Sequence, residues 1–431
     1  MAHIKIDTQK VIGKIKPMHA GGQPPLGGNG FNEYFHYLTE AGIPYSRLHD
    51  VGGAFGSNRF VDIPMIFRDF DADETDPRSY DFTFTDFLLK SLIDAGVEPY
   101  YRLGITIENQ SRIKSYYTAP PKDYDKWARI CEHIIAHYTE GWADGFFYDI
   151  TYWEIWNEPD NVFWPDAPQM WSGTAEEYYR LYEVAAKHLK ARFPKIKIGG
   201  YASCGFYKLT DENVSENKAK VYQYFIDFFL GFLDHVKKSG APLDFFSWHS
   251  YSNTKATLVW ERFVAEKLRE YGFGDIENHI NEWDPFCEEY GTGHHAAEVA
   301  AMMLGMQNRT PSVLCIYDMR TNNSPYCPLF DIRTHEPIHA YYSLVAFNHL
   351  YKLTNQVELS VDNEDVYAVA ASDGEHHALV ISNLTGAKEP LTLEGVDLER
   401  ARISVIDDKR LLSWAPSANQ IGKNTVMLIE W

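Results

Sequence analysis

Apolar and polar positions along this chain follow two periods, and the period switches repeatedly. Short runs of large apolar residues bounded by Gly, Pro or Asp read as buried strands. Longer stretches with apolar residues three or four positions apart read as amphipathic helices. VIGKIKPMHA (11–20) predicts a strand and FNEYFHYLTEAG (31–42) a helix. IPYSRLHD (43–50) predicts the next strand and FTDFLLKSLIDAG (84–96) its helix. VEPYYRLGI (97–105) precedes KWARICEHIIAHYTEG (126–141), and YWEIWNEP (152–159) precedes EEYYRLYEVAAKHLKARF (176–193). KIKIGGYA (195–202) leads to KVYQYFIDFFLGFLDHVKKSG (220–240), and LDFFSWHSY (243–251) to TLVWERFVAEKLREYG (257–272). IENHINEW (276–283) leads to HHAAEVAAMMLGMQN (294–308), and SVLCIYDM (312–319) to PIHAYYSLVAFNHL (337–350). In the fourth helix Tyr178, Leu181, Tyr182, Ala185 and Leu189 share one face.

Eight strand–helix units in sequence are what a parallel (β/α)8 barrel, or TIM barrel, requires. Several helices close on Ala-Gly, Glu-Gly, Ser-Gly or Tyr-Gly, the signature of a left-handed C-cap. The competing open doubly wound sheet calls for a glycine-rich phosphate turn, and no GxGxxG follows any predicted strand. After residue 350 the period shortens. VELSVDNEDVYAVAASDGEHHALVISNLTG alternates, with turn signals at Asp362-Asn363 and Asp373-Gly374, and ARISVIDDKR and NTVMLIEW follow. The expected organisation is a catalytic barrel over 11–350 and an accessory antiparallel β-sandwich domain over 351–431, joined by residues 1–10.

Charge and cysteine usage narrow the partners. A formal net charge of −20 disfavours nucleic acid, whose phosphates require a basic footprint, and an anionic membrane surface. The 431 residues carry five cysteines and no CxxC pair, so neither a disulfide framework nor a zinc knuckle is signalled. No HExxH occurs, the adjacent pairs His294-His295 and His376-His377 read as non-metal, and no cofactor motif is present. The start MAHIKIDTQK has no apolar signal core, and no apolar run is long enough to span a bilayer. As given, the chain reads as cytoplasmic. A secreted or periplasmic chain whose signal peptide had been replaced by Met would read the same. Aromatics at 15% suit either an apolar core or a ligand with flat faces and many hydroxyls, as sugars have.

In a barrel of this kind the active site lies at the C-terminal ends of the strands. The polar residues there are His19; Arg47, His49 and Asp50; Asn157 and Glu158; His249 and Tyr251; Asn281 and Glu282; Asp318 and Arg320. Two carboxylates follow an Asn at the end of a buried run, IWNE at 155–158 and HINE at 279–282, on the fourth and seventh of eight units. A lone strand-end Glu is ordinarily solvated. Two that face one another across a barrel mouth are the apparatus of glycoside hydrolysis, one protonating the leaving oxygen and the other attacking or activating water. A gap of roughly 5–5.5 Å between them means retention, and about 6.5–9.5 Å means inversion. Arg47 has two readings, a structural ion pair or a charge that holds a catalytic carboxylate ionised. His249 is either a core histidine or a site residue.

With WNEP the chain resembles the glycoside hydrolases of clan A. Within the clan it is similar to family 39, which contains β-xylosidases and α-L-iduronidases. WEIWNEPD, DFFSWHSY, NEW and EPIHAYYSLVAFNHL carry the likeness, which spans 11–350 closely and the remainder loosely. Asn281 departs from it, because a Thr or similar small residue is expected before the nucleophile. The resemblance implies a retaining, two-step reaction with Glu158 as acid/base and Glu282 as nucleophile. It also implies that Asn157 binds the sugar 2-hydroxyl, that Tyr251 and His249 hold Glu282, and that Arg47 keeps Glu282 ionised. Glu158 then needs a raised pKa, which the apolar Trp153 and Trp156 and a neighbouring carboxylate supply. The expected partner is an oligosaccharide or glycoside. His49 is a further substrate-contacting candidate, and Trp283 is placed as a wall of the sugar site. Phe163, Trp164 and Trp171 are stacking platforms or loop anchors. A uronic acid glycone needs a basic clamp, for which Arg320 is the main candidate, and the low basicity favours a neutral pentose such as xylose taken in exo fashion. An endo-acting glycanase of the same clan and a catalytically inactive sugar-binding barrel are the alternatives.

Overall fold

The structure, a computed structural model, describes residues 1–431 except 29, 50, 52–59, 107–117, 164–166, 169, 286–289 and 322–325. Eight strands close into a barrel: β1 (Ala20–Gly22), β2 (Tyr45–Leu48), β3 (Glu98–Leu103), β4 (Tyr152–Ile155), β5 (Lys197–Ser203), β6 (Phe245–Ser250), β7 (Glu277–Trp283) and β8 (Pro311–Ile316). Neighbours run parallel, as in Tyr101 beside Trp153 and Gly199 beside Phe245. The helices that follow the strands are His36–Ala41, Thr83–Asp94, Tyr124–Glu140, Ala175–Arg192, Glu216–Ser239, Thr254–Tyr271, Gly293–Gln307 and His339–Leu353. The (β/α)8 expectation is met.

The chain packs as two compact units. One comprises Tyr45–Ser250 and Val259–Asn281, the other Met1–Pro44, Tyr251–Leu258 and Glu282–Trp431. In the first unit, helix Ala175–Arg192 shows how sequence sets local structure. Thr174 caps it, accepting from the Glu177 N–H while the Glu177 carboxylate accepts from the Thr174 N–H. Tyr178, Leu181, Tyr182, Ala185 and Leu189 are buried, the face the periodicity predicted. The Tyr178 hydroxyl then donates to the Ile155 carbonyl at 2.8 Å, so the helix fastens the end of β4. The two preceding and following helices stop at Gly141 (φ 75°) and Gly240 (φ 65°), a left-handed conformation that favours glycine.

In the second unit a nine-stranded sheet runs in the spatial order 410–414, 402–407, 425–430, 377–383, 366–372, 355–361, 2–14, 389–394 and 420–421. Its pairings are antiparallel apart from Ala2–Lys14 beside Glu389–Glu394. The core beneath it includes Ile4, Ile6, Val357, Leu379, Ile381, Val405, Met427 and Ile429. Helix Gly293–Gln307 packs against this sheet, and Ser382 donates to the Ala297 carbonyl at 2.6 Å.

The first strand departs from the reading of 11–20 as a barrel strand. Residues 11–14 belong to Ala2–Lys14, which is paired with Asn355–Val361, and the barrel strand is the short Ala20–Gly22. A Cβ at Gly21 would lie 2.3 Å from the Met319 sulfur, so a larger residue there would displace that side chain. A strand of Ala-Gly-Gly carries no hydrophobic signal to detect. Among the described residues, no helix is long and apolar enough to cross a membrane.

Candidate active site

The site is built outward from the barrel interior. Glu154, fully buried on β4, accepts from Arg47 Nε at 2.8 Å and Nη2 at 2.7 Å, from Ser247 Oγ at 2.6 Å and from Asn281 Nδ2 at 2.5 Å. One carboxylate thus ties β2, β6 and β7 to β4. Asn281, the residue that departs from the family pattern, has a place in this network. The same guanidinium donates to Asn157 Oδ1 at 2.6 Å, and Asn157 Nδ2 lies 3.3 Å from His49 Nε2. Removing one member of a buried pair leaves an uncompensated charge. Arg47→Met is therefore expected to destabilise the protein by about 3–5 kcal/mol, and the double change with Glu154→Leu to recover most of it, both read from denaturant midpoints.

Beyond Ile155 the chain bends sharply. Trp156 (φ 74°) and Glu158 (φ 44°) both adopt left-handed backbone. The Trp156 N–H donates to the Leu103 carbonyl at 2.7 Å and its indole N–H to the Met170 carbonyl at 2.8 Å, while the Glu158 N–H donates to Ala202 O at 3.1 Å. This bend turns the Glu158 side chain toward β6. His249 Nδ1 lies 2.7 Å from Glu158 Oε1, and Asn161 Nδ2 donates to Oε2 at 2.6 Å. Burial pushes the Glu158 carboxyl up, but His249, the Asn161 amide and the Arg47 charge outweigh it and hold the group below its ordinary value. The tryptophan surroundings had predicted the opposite direction. They are present, since Trp153 and Trp156 are buried, and the imidazole overrides them. Asp160, two residues on, moves the other way. Burial and the Glu158 charge push it up to about 7, against hydrogen bonds from Ser203 and Cys204.

In the other unit, Glu282 near the end of β7 is almost fully buried and accepts a hydrogen bond from the Tyr251 hydroxyl. The Tyr251 ring meets Tyr317 edge-on at 6.3 Å. Trp283 is buried and Asp284 beside it accepts from the Tyr290 hydroxyl, with His295 Nε2 3.0 Å away. Arg320 grips Asp318 through Nε at 2.9 Å and Nη2 at 2.6 Å and stands 5.8 Å from the Tyr317 ring centre. That clamp is engaged with a carboxylate of the chain itself.

The structure thus joins Tyr251 to Glu282, His249 to Glu158, and Arg47 to Glu154 and Asn157. Trp171 is a loop anchor, fully buried with its indole N–H donating to the Thr174 carbonyl at 2.8 Å. Trp164 and Asp50 lie outside the described residues. Glu154, Asp160 and Asn161 went unread. Glu154 had a signal, because a charged residue inside an apolar strand run demands a buried partner, and Arg47 was available.

A family model described as Glycosyl hydrolases family 39 matches residues 31–294. A beta-xylosidase of Geobacillus stearothermophilus is 28% identical over 307 residues, covering 63% of this chain and 54% of that protein. The chain therefore spans about half the length of that relative. Two solved structures share the fold across nearly all of both chains. A glucosidase from Croceicoccus marinus matches with a TM-score of 0.77 at 19% identity, covering 100% of this chain and 98% of that one. A GH39 beta-xylosidase from Caulobacter crescentus matches with a TM-score of 0.69 at 18% identity, covering 99% of each chain.

Proposed function

The chain belongs to glycosyl hydrolases family 39, and from that premise we propose that it is a retaining O-glycoside hydrolase acting from the chain end on a neutral pentose such as xylose. One observation carries the reading: the carboxylates ending β4 and β7 are held in unlike ways. Glu282 accepts from a phenol, whereas Glu158 meets an imidazole through one oxygen and a side-chain amide through the other. Two carboxyl groups of one strand-end set, placed in different surroundings, are the arrangement from which a nucleophile and an acid/base are made.

In the first step Glu282 attacks the anomeric carbon while Glu158 delivers a proton to the departing oxygen, leaving a glycosyl ester on Glu282. In the second, Glu158 takes a proton from water, which displaces the ester and restores both groups. Glu158 begins as a carboxylate hydrogen-bonded to His249. It takes up a proton to act as the acid, and the hydrogen bonds from His249 and Asn161 hold its two oxygens in place. Asn157, fixed by Arg47 and His49, presents its amide for the 2-hydroxyl. The engagement of Arg320 with Asp318 supports a neutral glycone over a uronic acid. Aryl β-xylosides, α-L-arabinosides and β-galactosides, assayed side by side, rank the glycone. A 2-fluoro analogue of the best substrate is expected to trap the ester, with mass spectrometry placing the label on the peptide that contains Glu282. Labelling of any other peptide sinks the nucleophile assignment.

A further inference from the structure

We propose that Asp160 is a positioning residue for the acid/base, its carboxylate clasping the bent backbone that presents Glu158 to the end of β5. The inference rests on the proposed role of Glu158. Three residues without the freedom of glycine occupy left-handed backbone within this small region: Trp156 (φ 74°), Glu158 (φ 44°) and, facing them, Ala202 (φ 59°). Such conformations persist only where neighbouring bonds over-determine them, and they concentrate at functional sites. Here two ties join the turns. The Glu158 N–H donates to Ala202 O at 3.1 Å. Next to it, Asp160 Oδ2 accepts from Ser203 Oγ at 2.8 Å, and both Asp160 oxygens lie 3.2 Å from the Cys204 backbone nitrogen. Ser203 Oγ in turn accepts from the Gly205 N–H at 3.4 Å, and Gly205 has φ 114°.

Asp160 and Ser203 are both fully buried. A buried carboxyl is costly unless its hydrogen bonds are made, so its presence calls for work that an apolar side chain cannot do. That work is to accept from two donors on the opposite turn at once. The bend must be held because Glu158 meets His249 through a single oxygen at 2.7 Å, and misplacement of a reacting group by about 1 Å costs roughly 10²-fold in rate. The titratable groups that face Asp160 from the elements around it include Tyr178 and Tyr179 on one helix, Tyr201 on β5, Tyr224 on the next helix and the Cys204 thiol, which hydrogen-bonds to it. Burial pushes the four phenols up, and among the described residues Glu158 is the charge acting on Asp160.

The test uses the full chain and aryl β-xylosides whose leaving phenols run from dinitrophenol to unsubstituted phenol. A weakened proton donor slows departure of the poor leaving group and spares the good one, whereas general damage to the fold slows both alike. Glu158→Ala sets the reference slope. Asp160→Ala is expected to lose roughly 10- to 100-fold in kcat/KM on the phenyl xyloside and to stay within about threefold on the dinitrophenyl one. Asp160→Asn keeps an acceptor for the Cys204 N–H and is expected to stay within about threefold of wild type on both. Ser203→Ala removes one bond of the clasp and is expected to show the same slope at smaller size, which decides the matter if Asp160→Ala does not fold. Equal losses on both substrates, or no loss in Asp160→Ala and Ser203→Ala, overturn the inference. A Glu158→Ala variant without leaving-group dependence overturns the acid/base reading and this inference with it. A normal Glu158→Ala slope with flat Asp160→Ala and Ser203→Ala overturns this inference alone.

Discussion

Glu282→Gln is expected to lower kcat/KM on the best aryl glycoside by about 10⁴-fold or more, roughly 5 kcal/mol of transition-state stabilisation. The substitution keeps the shape and an acceptor for the Tyr251 hydroxyl, so the folded state is expected to survive and the loss to appear in kcat. The reason is that an amide cannot form the glycosyl ester, and no other group takes over both halves of a double displacement. Glu282→Ala adds a second readout. With the side chain gone, an external anion such as azide reaches the sugar from the vacated face, and the glycosyl azide formed carries the inverted configuration. Recovery of the retained product instead, or a kcat near wild type in Glu282→Gln, excludes Glu282 as nucleophile.

Glu158→Ala behaves differently. General acid–base groups contribute about 10²–10⁴-fold, and that loss is expected on glycosides with poor leaving groups, while dinitrophenyl glycosides still form the ester quickly. Because the second step also lacks its base, the ester accumulates and a burst of phenol precedes a slow steady state. Azide then attacks the accumulated ester and gives a product of retained configuration, the mirror of the Glu282→Ala result. The absence of both a burst and azide acceleration rules out Glu158 as the acid/base. Glu158→Gln is a weaker probe, since its amide still meets His249 and Asn161.

Much of this was legible in the residues. Seven of the eight barrel strands were legible from period alone, and the buried face of Ala175–Arg192 coincides with the predicted one because a long amphipathic helix has one way to bury its stripe. The strand-end carboxylates were visible because an Asn-Glu pair interrupts an apolar run twice, at equivalent places in two units. What stayed hidden is what periodicity does not encode. Ala20–Gly22 is too small and too short to show a pattern, and the Met319 side chain that packs against Gly21 is distant in sequence. The contact of His249 with Glu158 depends on a bend at two left-handed residues that no propensity predicts for Trp or Glu, so periodicity does not reveal it. The Glu154 network joins residues up to 127 positions apart and is expressed only once the barrel closes.

The strand Ala2–Lys14 has a consequence for biosynthesis. Its neighbours in the sheet are Asn355–Val361 and Glu389–Glu394, so it leaves the ribosome long before either partner exists. At synthesis rates of about 5–20 residues per second, some 340 residues of delay correspond to roughly 17–70 s with both edges of the strand unpaired. An exposed edge of that kind recruits neighbouring nascent chains unless it is guarded. Alternation over residues 2–7 supplies part of the guard, with Ile4 and Ile6 reserved for the core and Lys5 and Asp7 exposed, and beyond the register shift Lys10 and Lys14 add exposed charge.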